Sequence, residues 1–469
     1  MNHTSAPPSP IVYKMLPWIT AMALFMQSLD ATVLNTALPA IAKDFQRSPL
    51  SMQSAIISYA LTVALLIPIS GFLADKFGTK KVFITAVSLF SIGSLLCALS
   101  ASLDALVVSR IIQGIGGAMM MPVARLAMIK TFDRSDLLAA INFSTIPGLI
   151  GPVLGPLVGG YLVHIASWHW VFIINIPIGI IGIYCGLKYM PDFEDSSEHF
   201  DFLGFVLFSL SIVMVSLGLE FVSEGNNYLF SLTIALLGIL LMYLYTKYAK
   251  QAEYPIFSLS LFKVRTFMIG LAGSLASRIG LSSLPLLIPL LMQVIFAFSP
   301  AFSGWMLVPM ALASVTMKTM VTPILKKFGY RKTLMGNTIF AGIGIMLLAI
   351  PNQHTPVIVW VILLALIGAV NSLQFTSMNT IVLADLQTEQ ASSGNSLVAV
   401  NQQLAISFGI AVGAALVHLL SLSSWLTNDG QNLHTAFRVS FVLLGLSTIL
   451  SSLIFAKLKD HDGDNLFHK

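Results

Sequence analysis

The hydropathy pattern of the chain predicts a long series of membrane-spanning helices. Apolar residues occur in stretches of roughly 20, the length at which a helix crosses a bilayer, and short polar segments separate these stretches. Fourteen spans are predicted, at about 15–38, 53–74, 82–101, 104–129, 137–162, 168–189, 202–222, 229–249, 266–293, 299–323, 333–350, 357–384, 393–420 and 436–457. The pattern therefore predicts an all-α integral membrane protein.

Composition agrees with this pattern and narrows the function. Apolar residues make up 56% of the chain and charged residues 10%, whereas soluble domains have about 45–50% and about 25%. The two cysteines, Cys97 and Cys185, lie in different predicted spans without metal-ligand spacing. We find no Walker loop, kinase motif or catalytic triad pattern. We therefore expect no enzymatic activity, no cofactor and no metal site, so that an ion gradient drives any transport.

The distribution of basic residues predicts the orientation. If the N-terminus is cytoplasmic, the segments on that side hold 18 of the 25 lysines and arginines, and the segments on the other side hold three. Because cytoplasmic loops carry an excess of Lys and Arg, both termini are expected in the cytoplasm. The expected partner of so apolar a chain is the lipid bilayer. We expect no nucleic acid and a monomer.

Two similar turns indicate an internal repeat. Residues 75–81 read Asp-Lys-Phe-Gly-Thr-Lys-Lys after the second span, and residues 326–332 read Lys-Lys-Phe-Gly-Tyr-Arg-Lys after the tenth. Many secondary transporters are built from such repeats, and their substrate site lies near the membrane midplane, between the repeated halves. The predicted domains are a six-helix bundle at 1–190, an inserted transmembrane hairpin at 191–250 and a second six-helix bundle at 251–469.

A glycine stripe interrupts the fifth span. Gly151, Gly155 and Gly159 recur every fourth residue, so on a helix they form one face without side chains, against which a neighbouring helix can pack closely. Pro152 and Pro156 each remove a helical hydrogen bond and bend the segment. A purely structural packing role is the alternative, but the combination favours a helix that bends and slides during a conformational switch.

Five motifs carry a resemblance to the major facilitator superfamily. Those at 71–81, 110–117 and 151–160 resemble its loop between helices 2 and 3, its helix 4 motif and its helix 5 antiporter motif, and those at 29–39 and 168–179 are similar to runs of its fourteen-spanner drug:proton antiporters, the EmrB/QacA branch. The resemblance implies two six-helix bundles with an inserted hairpin, 14 transmembrane helices, and proton-coupled antiport by alternating access in a bacterial inner membrane, with protons and a small-molecule substrate as partners. It also implies a gating role for Asp75, Gly71 and Gly78, beside the plain interpretation of Asp75 as a helix-end charge.

Asp30 is the one acidic residue well inside a predicted span. Counted at the rise of a helix from the outer span ends, Asp30 lies ~12 Å deep and Arg110 ~9 Å deep, so they could meet. The resemblance implies that both face a central cavity. A neighbouring arginine favours the ionised carboxylate and burial favours the neutral one, which suits a proton carrier. A permanent ion pair that locks two helices is the alternative.

Arg278 lies ~20 Å into the ninth span, too deep to reach lipid headgroups easily. Arg125 and Lys318, in contrast, are near cytoplasmic span ends and are expected to reach the headgroups. Arg278 could bond to backbone carbonyls or to Asp30, or it could bind an anionic substrate. The interior then holds two cations and one anion, which is unusual for an exporter of lipophilic cations.

Amides inside the spans are further candidates for substrate binding, although most such groups merely bond between helices. These candidates are Gln27, Asn35, Gln113, Asn142, Asn371, Gln374, Asn401 and Gln402. The sequence thus predicts a proton-coupled exporter of small molecules, with multidrug efflux as the first expectation. Export of an anionic metabolite, such as citrate or a metal–carboxylate chelate, is the alternative. A transporter-like membrane sensor or scaffold is the alternative of another class.

Overall fold

The computed structural model describes residues 10–195, 200–223, 228–422 and 432–466, and within these ranges it contains helices and no strand. The α-helices are α1 (Pro10–Asp44), α2 (Gln53–Phe77), α3 (Thr79–Ala98), α4 (Leu103–Thr131), α5 (Arg134–Ile165), α6 (Trp170–Ile173), α7 (Asn175–Tyr189), α8 (Phe202–Ser223), α9 (Tyr228–Ala249), α10 (Arg265–Leu290), α11 (Pro300–Leu347), α12 (Val357–Leu383), α13 (Thr388–Ser421) and α14 (Asn432–Phe455). The prediction of an all-helical chain is confirmed.

Within the described ranges, 12 helical segments are long and apolar enough to cross a membrane. The short α6 and α7 count together as one of them, and α11, with 48 residues, also counts as one. The first helix, α1, has 35 residues but is not among the 12, because its polar and charged residues lower its hydropathy. The protein is therefore a multi-pass membrane protein.

The two repeated turns share an unusual backbone conformation. Gly78, between α2 and α3, has a φ of 91°, and Gly329, inside α11, has a φ of 73°. Side chains with a β-carbon are strained at such angles, so glycine suits both turns. The non-helical backbone at Gly329 divides α11 into two helices that meet at a kink. We call the end of the molecule that carries these turns the basic face, and the opposite end the far face.

The helices form two bundles that touch along two helix pairs. In the first bundle α1 packs on α5, and α4 packs on α2 and α3; in the second, α11 packs on α12 and α14, and α10 packs on α13. The bundles meet where α5 packs on α11 and where α2 packs on α13. The α8–α9 hairpin adjoins α13, where the hydroxyl oxygens of Ser216 and Ser407 lie 3.3 Å apart. A cavity remains between the bundles.

Candidate functional site

A buried ion pair lies inside the first bundle. Asp30 on α1 and Arg110 on α4 are each only 1% exposed, and Nη1 of Arg110 lies 2.7 Å from Oδ2 of Asp30. The two residues, which their depths allow to meet, are thus in contact in the structure. A charge-assisted hydrogen bond of this length is among the stronger polar contacts in proteins, so it holds α1 and α4 together while both groups are charged.

Two amides complete the coordination of the carboxylate. Gln113 Nε2 donates to Asp30 Oδ1 over 2.8 Å, and Asn175 Nδ2 donates to the same oxygen over 3.0 Å. Gln113 also accepts from Arg110 and donates to Ser94. Asn175 was not among the predicted site residues. Its signal was an amide in the middle of the apolar span at 168–189, where an amide normally needs a polar partner.

The Arg110 guanidinium is fixed on its other sides as well. Its Nε donates to the Ala55 carbonyl over 3.0 Å, and its Cζ lies 4.3 Å from the centroid of the Tyr59 ring, a cation–π distance. A Cβ at Gly117 would crowd the Tyr59 hydroxyl, so glycine there leaves room for the ring beside α4. Arg110 and Tyr59 line the cavity, whereas Asp30 is not among the lining residues.

The cavity has a volume of about 580 Å³ and is lined by α1, α2 and α4 from one bundle and by α10, α11, α12 and α13 from the other. Six of the predicted site residues line it: Gln27, Asn35, Arg110, Arg278, Asn371 and Gln402. Sequence reasoning did not single out Tyr59, Phe375 and Asn395, which also line it. A cavity of this volume between two helical bundles, with a largely apolar wall and a few polar side chains, can hold a small solute.

Four predicted binding residues do not line this cavity. Gln113 bonds to Asp30 instead, Gln374 bonds to Asn337 and Thr338 inside the second bundle, and Asn401 donates to the Leu271 carbonyl. Asn142 lies on α5 and is exposed. The sequence gives the depth of an amide in a span but not the direction in which its helix turns it, which is why these four differ from the other candidates.

The charge on the cavity wall is one-sided. Among the described residues that line the cavity, Arg110, Arg125 and Arg278 are the charged ones, and none is an acid or a lysine. Arg125 was expected at the lipid headgroups. It faces the cavity because it shares one face of α4 with Ala118 and Met121, which precede it by seven and four residues and also line the cavity.

Arg278 contacts an aromatic ring rather than a polar partner. Its Cζ lies 4.7 Å from the centroid of the Phe375 ring on α12. Its Nη1 is buried and has no hydrogen-bond partner among the residues that the structure describes. The expected contacts with backbone carbonyls or with Asp30 are not found there, because Asp30 pairs with Arg110 on the other bundle.

The glycine stripe of α5 packs directly on α1, the helix that carries Asp30. A Cβ at Gly151, Gly155 or Gly159 would overlap Ser28, Thr32 or the Val33 carbonyl, respectively. The Thr32 and Thr36 hydroxyls donate across this contact to the carbonyls of Gly151 and Pro156, over 3.4 and 3.5 Å. Of the two prolines, Pro156 is buried and Pro152 is exposed.

The two bundles meet closely near the far face. A Cβ at Gly160 on α5 would overlap the Pro300 carbonyl at the start of α11, and one at Gly304 would overlap the Pro156 carbonyl. Gln293 Nε2 also donates to the Thr36 carbonyl over 3.0 Å. The cavity therefore lies on the basic-face side of this contact.

Asp75 lies on α2 near the basic face and pairs within its own bundle. Lys130 Nζ at the end of α4 lies 3.1 Å from both Asp75 Oδ1 and Asp195 Oδ2. The Asp195 amide also donates to the Asp75 carbonyl over 3.0 Å. Gly71 has no atom within 4 Å of a Cβ placed on it, whereas a Cβ at Gly78 would overlap Asp192.

Comparison with known proteins gives the family. The profile described as Major Facilitator Superfamily matches residues 20–282 and 270–466. MdtD of Escherichia fergusonii, whose name assigns it to multidrug resistance, is 42% identical over 96% of this chain and 95% of its own. Two solved structures share the fold at 14% identity. The nucleoside transporter NupG has a TM-score of 0.66, covering 96% of this chain and all of its own, and a D-xylose-proton symporter has 0.67, covering 96% and 99%. The chain belongs to the major facilitator superfamily and is a transporter rather than an enzyme.

Proposed function

We propose that this protein is a proton-coupled exporter of small molecules that works by alternating access, with Asp30 as the proton carrier. The observation that carries the proposal is the buried Asp30–Arg110 pair, in which Arg110 faces the cavity and Asp30 lies behind it. A carboxylate held by one arginine and two amides can take up a proton when Arg110 moves away, because the neutral form is favoured once the counter-charge is lost.

The proposed setting is a bacterial inner membrane that the chain crosses fourteen times, with both ends in the cytoplasm. Two observations support that count beyond the 12 segments found by hydropathy: α1 has 35 residues, and the backbone at Gly329 divides α11 into two helices. The excess of lysine and arginine on the basic face supports its cytoplasmic position. We further propose a monomer that uses no cofactor and is driven by the proton gradient.

The proposed switch uses the glycine stripe and the basic-face contacts. The side-chain-free face at Gly151, Gly155 and Gly159 allows α5 to slide along α1. Asp75 would lose its contact with Lys130 and take another partner when the cavity closes on the basic face. Charge contacts at switching interfaces commonly change in this way.

Two substrate classes compete. The name of the Escherichia fergusonii relative favours multidrug efflux, which remains the first proposal. The arginines on the cavity wall favour export of an anionic metabolite, such as citrate or a metal–carboxylate chelate. A sensor or scaffold of transporter shape is the third proposal, and it predicts no flux at all.

The test is flux in proteoliposomes under an imposed pH gradient, with ethidium and citrate as probes. The wild-type chain should move at least one probe against its gradient, and the movement should stop when a protonophore is added. The Asp30→Asn variant, compared with the wild type at equal amounts of folded, reconstituted protein, should lose gradient-driven flux, because an amide cannot carry the proton. Full gradient-driven flux in this variant would refute the proton-carrier role, and flux of neither probe would favour the sensor.

A further inference from the structure

Two arginines face the same cavity from opposite bundles. Arg125 is on α4 of the first bundle and Arg278 is on α10 of the second, and both line the cavity. Neither has a hydrogen bond or ion pair to any residue that the structure describes. Arg110, the third arginine on the wall, is already neutralised by Asp30. Arg125 and Arg278 are therefore two open positions for negative charge.

We propose that the cavity binds a small organic dianion, with one acidic group held by Arg125 and the other by Arg278. This inference rests on the proposed transport function but not on proton coupling. It narrows the substrate class, since a lipophilic cation would meet three guanidinium groups and no carboxylate on the described wall. Carboxylate and phosphate groups share the chemistry that the two arginines recognise.

The surroundings of Arg278 suit this role. The Phe375 ring supports the guanidinium through a cation–π contact and leaves the N–H groups along its edge free to donate. A guanidinium in a membrane interior without a counter-charge is unfavourable, so a bound acid would compensate it. Asn371 on the same wall supplies an amide that can bond to the uncharged part of the ligand, and Gln402, whose Nε2 donates to Asn379, supplies its amide oxygen.

The arrangement also links substrate binding to the movement of the bundles. Closing the cavity on the basic face would bring Arg125 and Arg278 closer together in a space that loses its water, where like charges repel more strongly. A dianion between them replaces that repulsion with two attractions. The occupied cavity therefore closes more easily than the empty one. Coupled transport requires this, because the empty carrier must not change conformation as readily as the loaded one.

Binding to the purified full-length chain in detergent, measured by calorimetry, tests the proposal without any flux. The probes are succinate, glutarate and adipate as dicarboxylates of increasing length, 3-phosphonopropionate as an analogue of succinate with one phosphonate group, and butyrate and tetraphenylphosphonium as a monoanion and a cation. At least one dianion should bind at least tenfold more tightly than butyrate and tetraphenylphosphonium. The preferred length among the dicarboxylates then measures the spacing of the two arginines, and comparison of succinate with 3-phosphonopropionate separates the two acid types.

Variants identify the residues. Arg125→Gln and Arg278→Gln should each weaken binding of the preferred dianion at least about tenfold, the usual effect of losing one charge-assisted bond. Arg278→Lys should retain part of the affinity, since it keeps the charge but loses the fork of donors. The matched control is Lys318→Gln, which removes an exposed basic residue on α11 that does not line the cavity. It should leave binding unchanged.

A second measurement detects the closing of the cavity on the basic face. Nitroxide labels on cysteines introduced at positions 80 and 332, one on the basic face of each bundle, report their separation by electron spin resonance. The dianion should shorten this distance in the wild type and leave it unchanged in Arg278→Gln.

The inference would be overturned if both glutamine variants retained dianion binding in full, or if tetraphenylphosphonium bound more tightly than every dianion. Proton-driven export of ethidium without dianion binding would overturn it while the proposed function stands. Dianion binding without proton-driven flux would overturn the proposed function and leave this inference standing.

Discussion

Breaking the Asp30–Arg110 pair should destabilise the protein more than replacing both members together. Asp30→Asn keeps the shape of the side chain but leaves the Arg110 guanidinium buried, at 1% exposure, without a counter-charge. The new amide also turns a donor toward Arg110 or toward the amides of Gln113 and Asn175, which donate to Asp30 in the wild type. Removing one partner of a buried pair typically costs about 3–5 kcal/mol.

Arg110→Gln leaves the opposite charge unpaired and should have a similar effect. In the double variant no uncompensated charge remains, and two neutral amides can bond to each other. Its destabilisation should therefore be smaller than the sum of the two single effects by about 2 kcal/mol or more, as in other double-mutant cycles on residues in contact.

The assay is reversible unfolding of the purified chain in mixed micelles, compared for the wild type, the two single variants and the double variant. The control cycle uses Lys81 and Glu194, an ion pair on the basic face whose side chains are 67% and 57% exposed. It should show little or no coupling, because water screens exposed pairs. Additive effects in the Asp30–Arg110 cycle would refute the argument that these two charges compensate each other inside the bundle.

Two further predictions concern the switch and the orientation. Gly159→Ala should destabilise the protein by about 1–3 kcal/mol and slow transport, because its Cβ overlaps the Val33 backbone carbonyl and forces α5 away from α1; Gly71→Ala, whose Cβ meets nothing within 4 Å, is the matched control, and equal unfolding curves for the two variants would contradict the packing argument. Reporter tags at Lys14, Lys80, Lys332 and Lys459 should all be cytoplasmic, and tags at Lys14 and Lys459 on opposite faces would exclude an even number of crossings.

Much of this fold could be predicted from sequence because the bilayer imposes a one-dimensional pattern. The apolar stretch at 202–222 matches α8, and the stretch at 104–129 lies within α4, which extends it by one or two residues at each end. The predicted spans at 299–323 and 333–350 correspond to the two helices that meet at Gly329 inside α11, and the basic turn between them is a sharp kink rather than a longer loop. Hydropathy locates the apolar segments but not the path of the backbone between them.

The candidate site was predictable only as far as depth determines it. Depth showed that Asp30 and Arg110 could meet, and the structure pairs them. Whether the other candidates line the cavity depends on the direction in which each side chain points from its helix axis. Arg125 faces the cavity rather than the headgroups, and Asn142 is exposed on α5, because each helix turns its faces according to neighbours that are distant in sequence. Asn175, in contrast, could have been added to the candidates by depth, since it is an amide inside the apolar span at 168–189.

The position of Arg110 suggests how the proton and the substrate would influence each other. Its guanidinium is shared, with Asp30 on the buried side and the cavity on the other. If Asp30 takes up a proton, the positive charge of Arg110 is no longer balanced and its field extends into the cavity, where it attracts an anion and repels a cation. Loss of the proton restores the pair and weakens the binding of an anion.

This dependence of anion binding on the protonation of Asp30 determines the type of coupling. An anionic substrate and a proton would each favour binding of the other, which corresponds to symport. Antiport of an anion would require the opposite sign of coupling, in which proton uptake by Asp30 weakens binding of the anion. A cationic substrate, in contrast, competes with the proton in every state. The direction in which dianion affinity changes between the wild type and Asp30→Asn, which mimics the protonated acid, decides which of these two couplings operates.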